Sequence, residues 1–98
     1  MELDFTFRNI ESTEAIKAWA QRRFQKVEKH LLDPTHAHLT LSVDKHRHRA
    51  EMTVHNKGEI LRASEETDDM YTTMDRVMEK VEAAAQKQKE RLQDLKKH

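Results

Sequence analysis

Near the start of the chain, Leu3, Phe5 and Phe7 alternate with Glu2, Asp4, Thr6 and Arg8, a period of two that predicts a strand with one buried face. The period then changes. Ile16, Ala20, Phe24, Val27 and Leu31 recur at helical spacing with Trp19 at the edge of the stripe, predicting a helix over about Thr13 to Leu31. Ser12 or Thr13 can cap it, and Glu14 falls in the first turn, where the helix dipole is positive. Asp33-Pro34 closes the segment, because proline disfavours helical geometry in the residue before it.

Period two returns for three further strands. Ala37, Leu39, Leu41 and Val43 alternate with His38, Thr40 and Ser42; after a bend over Asp44 to Arg47, Ala50, Met52 and Val54 alternate with Arg49, Glu51, Thr53 and His55. Asn56-Lys57-Gly58 is a hairpin turn carrying the only glycine of the chain, where a positive φ is needed. Leu61 and Ala63 continue the inner face, with Arg62 and Ser64 outward. Asp68 is the expected cap of a long last helix, from about Asp69 to Leu95, whose inner stripe reads Met70, Met74, Val77, Val81, Ala84/Ala85, Gln88, Leu92 and Leu95. Met78 joins Met70 and Met74 as a gap-filling core residue. The order β-α-β-β-β-α predicts an α+β fold: a four-stranded mixed sheet with both helices packed on one face. The first two strands flank a helical crossover and should be parallel; hairpins make the rest antiparallel. Charged residues dominate from Gln86 to His98, so those turns are expected to project beyond the sheet or fray.

Ninety-eight residues supply one modest core, so residues 1–98 are read as a single domain. Hydrophobic content of 36% and charged content of 37% are polar for a globular chain, but the apolar positions are periodic, which argues against disorder. The absence of cysteine excludes disulfides, thiol catalysis and cysteine-ligated zinc, and fits a reducing compartment. The acidic, alternating start does not resemble a signal peptide, and no apolar run approaches a membrane span. A cytoplasmic protein with no membrane partner is expected. No nucleophile elbow, glycine-rich phosphate loop or HExxH spacing occurs, so neither an enzyme nor a small-molecule substrate or cofactor is expected.

Charge changes the picture. Eighteen Lys+Arg balance eighteen Asp+Glu, yet each sign keeps to its own stripe on both helices. At about 100° per residue, Arg22, Lys26 and Lys29 align on the first helix with Arg23 and Lys17 flanking, away from Glu14 and Glu28. On the second, Arg76, Lys80, Lys87 and Arg91 align, while Asp75, Glu79, Glu82 and Glu90 gather roughly a third of a turn away. Two basic stripes suit the phosphates of a polyanion, with the acidic stripes facing away from it and limiting nonspecific binding. The dense bend Lys45-His46-Arg47-His48-Arg49 is a third candidate contact, or a charged guard on an exposed strand edge. Alternation puts His38 and His55 on one face and His48 on the other, so the histidines of the strands are not expected to converge on a metal. They are also candidates to add positive charge on acidification. Trp19 and Tyr71 are read as packing residues in preference to base-stacking platforms.

These segments resemble a known family. Glu66-Thr67-Asp68-Asp69-Met70-Tyr71-Thr72-Thr73-Met74-Asp75 is similar to the E-x-x-D-M-Y-x-A-I-D pattern of the short ribosome hibernation promoting factors and of protein Y. Asn9-Ile10-Glu11-Ser12-Thr13-Glu14-Ala15-Ile16 resembles that family's approach to its first helix, and Arg22-Arg23-Phe24-Gln25-Lys26-Val27-Glu28-Lys29 its basic first helix. The resemblance implies the same β-α-β-β-β-α fold and a stress or stationary-phase factor that binds the small ribosomal subunit where messenger and transfer RNA would sit. It further implies ribosomal RNA contacts at Lys17, Arg23, Lys26, Lys29, Lys45, Lys80, Lys87 and Lys89, to which the stripes and the bend add Arg22, Arg47, Arg49, Arg76 and Arg91. One departure stands out: Ala83-Ala84-Ala85 occupies the place where relatives often carry Arg-Gln, removing one phosphate contact. The end at Leu95-Lys96-Lys97-His98 resembles that of the short promoting form, so neither a second domain nor an acidic tail is expected, and the resemblance implies participation in inactive ribosome dimers. A protein that is monomeric when free, acting by steric exclusion, is expected; a general double-stranded RNA reader and a protein-interaction module are the rival readings.

Overall fold

The computed structural model describes residues 1–95; the expectations for Lys96, Lys97 and His98 lie outside them. In chain order it contains β1 (Asp4–Arg8), α1 (Glu14–Glu28), β2 (Pro34–Asp44), β3 (Arg47–Asn56), β4 (Glu59–Thr67) and α2 (Met70–Leu95). The strands form one sheet in the order β1-β2-β3-β4, with β1 parallel to β2 and the other pairs antiparallel. That is the architecture the alternation predicts. The β3–β4 hairpin turns at Lys57 (φ 54°) and Gly58 (φ 77°), both left-handed, the conformation whose twist matches that of the flanking strands. Lys45 also has a positive φ, 57°, so the β2–β3 connection is a tight turn at Lys45-His46.

Register assembles the core. Phe5 and Phe7 pair with Leu39 and Leu41, Leu39 pairs with Met52, and Met52 pairs with Ala63, so the inner face is a continuous apolar row across the strands. α2 lies against β3 and β4, and α1 lies beside α2. Ala20, Phe24 and Val27 of α1 are buried with Met74, Val77, Met78 and Val81 of α2. Thr13 caps α1 by accepting from the Ile16 amide at 3.1 Å.

Three details differ from expectation. α1 ends at Glu28, because the next amides, of His30 and Leu31, bond to the carbonyls of Val27 and Glu28 and tighten the chain into turns. The cap of α2 is Asp69, not Asp68: Asp69 Oδ2 accepts from both the amide and the hydroxyl of Thr72, each at 2.8 Å. Those bonds hold the Asp69 carboxyl below its usual pKa. α2 stays on the core to Gln88, which is buried, so the predicted departure at Gln86 comes later, with Leu92 half-buried and Leu95 exposed.

Gln88 is buried because it completes a polar knot. Asn56 Nδ2 donates to Gln88 Oε1 (2.6 Å), and Gln88 Nε2 donates to Asn56 O (2.9 Å) and Glu59 Oε2 (3.0 Å). Asn56 Oδ1 accepts from the amides of Leu32 and Asp33, both at 3.0 Å. One amide side chain therefore joins the α1–β2 loop, the β3–β4 hairpin and the far half of α2. Arg23 makes the second polar link: Nε donates to Asp75 Oδ1 (2.6 Å) and Nη2 to Glu82 Oε1 (2.8 Å), tying α1 to α2.

Two consequences are measurable by urea unfolding. Asn56→Ala orphans the buried Gln88 side chain and the part-buried amides of Leu32 and Asp33 and should cost about 2–3 kcal/mol, with Gln88→Ala costing less; a loss for Asn56→Ala no larger than at an exposed site would remove the knot from the account. Arg23→Gln should lower stability by about 1 kcal/mol, after allowance for partly exposed partners, whereas Arg22→Gln one position away should have no measurable effect.

Candidate nucleic-acid interface

The row of Arg22 and Lys26 on α1 and Lys29 at its C-cap is exposed and has no ion-pair partner among the described residues. Helical spacing places these side chains roughly a third to half a turn from Ala20, Phe24 and Val27, which the sheet and α2 bury. Lys17, on the other flank, sits with its Nζ 6.0 Å from the centroid of the Phe7 ring. Arg23, expected to join the phosphate contacts, is instead committed: its side chain is only 12% exposed, held between Asp75 and Glu82. The hydrogen bonds it donates to Glu82, more than the one to Asp75, raise its already high pKa.

The α2 stripe divides by flank. Lys80 Nζ donates to Ser64 O and pairs with Glu65 Oε2, both at 3.1 Å, and Arg91 pairs with Glu59, so this stripe overlies β4. The carboxyls of Glu65 and Glu59 are both held below their usual pKa, Glu65 chiefly by the Lys80 hydrogen bond and Glu59 chiefly by Gln88 with Arg91 second. Arg76 and Lys87 are exposed members of the same stripe; Lys89 is exposed near Leu32, Leu92 and Leu95 at the far end of α2. The acidic stripe does not face away as a unit: Asp75 and Glu82 turn into the seam with α1. A carboxylate seam thus separates the basic row of α1 from that of α2.

At the bend, Lys45 is exposed at the tip of the tight turn, while Arg47 pairs with Glu66 (3.1 Å) and Arg49 with Glu51 (2.8 Å). Lys45 is the freer cation there. Trp19 and Tyr71 stack edge-to-face across the α1–α2 seam, with centroids 5.4 Å apart, although Tyr71 remains 40% exposed. Trp19, Arg22, Arg23, Lys26 and Asp75 line one open cleft beside that pair. What sequence reasoning missed is the direction of Arg23; the signal was the seven-residue spacing of Asp75 and Glu82, two turns along one flank of α2.

The histidines fall on the faces alternation assigns. His38 pairs with Thr53 and lies on the open face, while His48 pairs with the buried Thr67 on the helix side. Alternation did not include Asp4, which the parallel register places beside His38, nor the approach of His36 to both.

Comparison with known proteins agrees with this architecture. Residues 3–93 match the family described as Sigma 54 modulation protein / S30EA ribosomal protein. The ribosome hibernation promoting factor of Escherichia coli K12 is 32% identical over 92 residues, which cover 94% of this chain and 97% of that protein; that of Pseudomonas putida is 25% identical over 95 residues, 97% of this chain and 93% of the relative. The N-terminal domain of Thermus thermophilus Protein Y superposes with a TM-score of 0.80 at 26% identity, over 89% of this chain and 98% of that one. A ribosomal subunit interface protein from Coxiella burnetii shares the fold, with a TM-score of 0.81 at 22% identity over 91% and 98% of the two chains. With nearly its whole length matched and its fold shared, the chain belongs to the S30EA ribosomal protein family, the family of the ribosome hibernation promoting factors.

Proposed function

We propose that this protein binds the small ribosomal subunit at the channel for messenger and transfer RNA and silences translation in starved or stressed cells by occupying that channel. It acts in the cytoplasm as a free monomer, without catalysis, and holds ribosomes in inactive dimers. The observation that carries the reading is the exposed row Arg22, Lys26 and Lys29, unpaired among the described residues and set along α1 and its C-cap. Free cations gain most from phosphate, since no internal carboxylate has to be given up on binding. Lys17, Lys45, Arg76, Lys87 and Lys89 extend the contact surface. Lys80, Arg91, Arg47 and Arg49 join it only by exchanging a carboxylate for a phosphate, and Arg23 supports it from beneath by holding α1 against α2.

The family supports ribosome binding, and no helix among the described residues is long and apolar enough to cross a membrane. Sedimentation of the full chain with small subunits, large subunits and intact ribosomes over a salt series, with duplex RNA as competitor, tests the reading. Tight, salt-sensitive binding to small subunits that duplex RNA does not displace is expected. Arg22→Glu/Lys26→Glu should lower affinity at least about tenfold, removing about one unit of salt slope per lost phosphate contact, with unchanged thermal stability. Undiminished binding by that variant would sink the α1 surface, and displacement by duplex RNA would indicate a general reader of A-form helices.

A further inference from the structure

The open face of the sheet carries a cluster that the ribosomal reading does not use. His36 and His38 are two apart on β2, and both belong to a group with Asp4, which the parallel register sets directly beside His38. His36 Nδ1 lies 3.4 Å from Asp4 Oδ2, and one ligand atom from each of Asp4, His36 and His38 falls within 4.8 Å of the others. We infer that Asp4, His36 and His38 form a binding site for a divalent late transition-metal ion of the Zn²⁺ class.

The geometry is close to what such an ion needs. Zinc bonds of about 2.0–2.1 Å set tetrahedral ligand atoms about 3.3 Å apart, so the present spread closes by side-chain rotation alone. The rotation is cheap, since the side chains of His36 and Asp4 are 48% and 62% exposed. His38 Nε2 lies 2.7 Å from Thr6 Oγ1, and in the tautomer that donates to that hydroxyl Nδ1 keeps its lone pair for an ion. His55, opposite His36 in the β2–β3 register with ring centroids 5.7 Å apart, is the nearest further imidazole. Two imidazoles and one carboxylate select Zn²⁺, Ni²⁺ or Cu²⁺ over Mg²⁺ and Ca²⁺, which require oxygen ligands and more of them.

The site spans elements. It would clip the short edge strand β1 to β2 across the whole α1 crossover, so an ion bound only by the folded chain raises its stability by mass action. Titration of the full chain with ZnSO₄, followed by calorimetry and thermal melting, tests this. One ion per chain is expected, with a rise in Tm that a chelator reverses, shifts of the His36 and His38 ring nitrogens in NMR, and no heat with MgSO₄. Asp4→Asn and His36→Ala/His38→Ala should each weaken binding about tenfold or more, in line with the loss of a ligand or its support. Both variants should keep the metal-free Tm, because these side chains lie outside the core; His46→Ala should bind as the parent does. Unchanged zinc affinity in His36→Ala/His38→Ala, or a Tm indifferent to zinc, would overturn the site.

Discussion

One face of a four-stranded sheet has to be covered by only two helices, and the rest of the molecule follows from that constraint. The inner row from Phe7 through Leu41 and Ala50 is apolar, and leaving it wet would forfeit roughly 25 cal/mol for each Å² exposed. Two helices lying side by side necessarily present flanks to each other. Like charges on those flanks would repel in a partly dry seam, so the α1 flank supplies Arg23 and the α2 flank supplies Asp75 and Glu82. The segregation of charge along each helix is therefore first a packing solution. Its by-product is that Arg22 and Lys26 of α1 are left outward without an ion-pair partner among the described residues.

Covering the face does not by itself decide how far α2 slides along it. Its middle presents Met74, Val77, Met78 and Val81, and methionine adapts to many neighbours, so apolar packing alone would tolerate alternative positions. Polar contacts at both ends remove that freedom. At the start, Thr73 Oγ1 lies 2.6 Å from Thr67 Oγ1 and donates to Asp69 O at 2.7 Å, within 3.2 Å of His48 O. Toward the other end, Gln88 locks onto Asn56 and Glu59. A shift of one residue along the sheet would strand both buried sets without partners, at a cost of about 1–3 kcal/mol for each group. The position of α2 sets that of its cations, including Lys87 and Lys89.

Much of this was legible in the sequence because it depends on one element at a time. Period two at Leu3, Phe5 and Phe7 and period 3.6 through Ile16, Ala20 and Phe24 identify strand and helix locally, and the single glycine marks a turn. The outward row of α1 follows from the same arithmetic. What stayed hidden depends on two elements meeting. Arg23 and Arg22 are adjacent and chemically identical, and only the place of α2 separates a clamp from a free cation. Asp68 and Asp69 are equivalent caps on paper; Thr67, by accepting from the Asp69 amide at 3.1 Å, selects the second. Asp4 and His36 are far apart in sequence and meet only through the parallel register.

A net charge of zero also bears on how the proposed ribosomal contact forms. Beyond a Debye length of about 8–10 Å at physiological salt, the fields of the acidic seam and the basic rows largely cancel, so the chain is not strongly drawn to nucleic acid from a distance. Within that distance the cancellation fails, because Arg23 holds Asp75 and Glu82 in the seam and offsets one of their two charges, while Arg22, Lys26 and Lys29 have no ion-pair partner among the described residues. Attraction then depends on a phosphate surface shaped to approach one side of one helix. A strongly basic protein of this size would adhere to any RNA in the cell; segregating equal charges within a neutral chain keeps the contact electrostatic while making it conditional on shape.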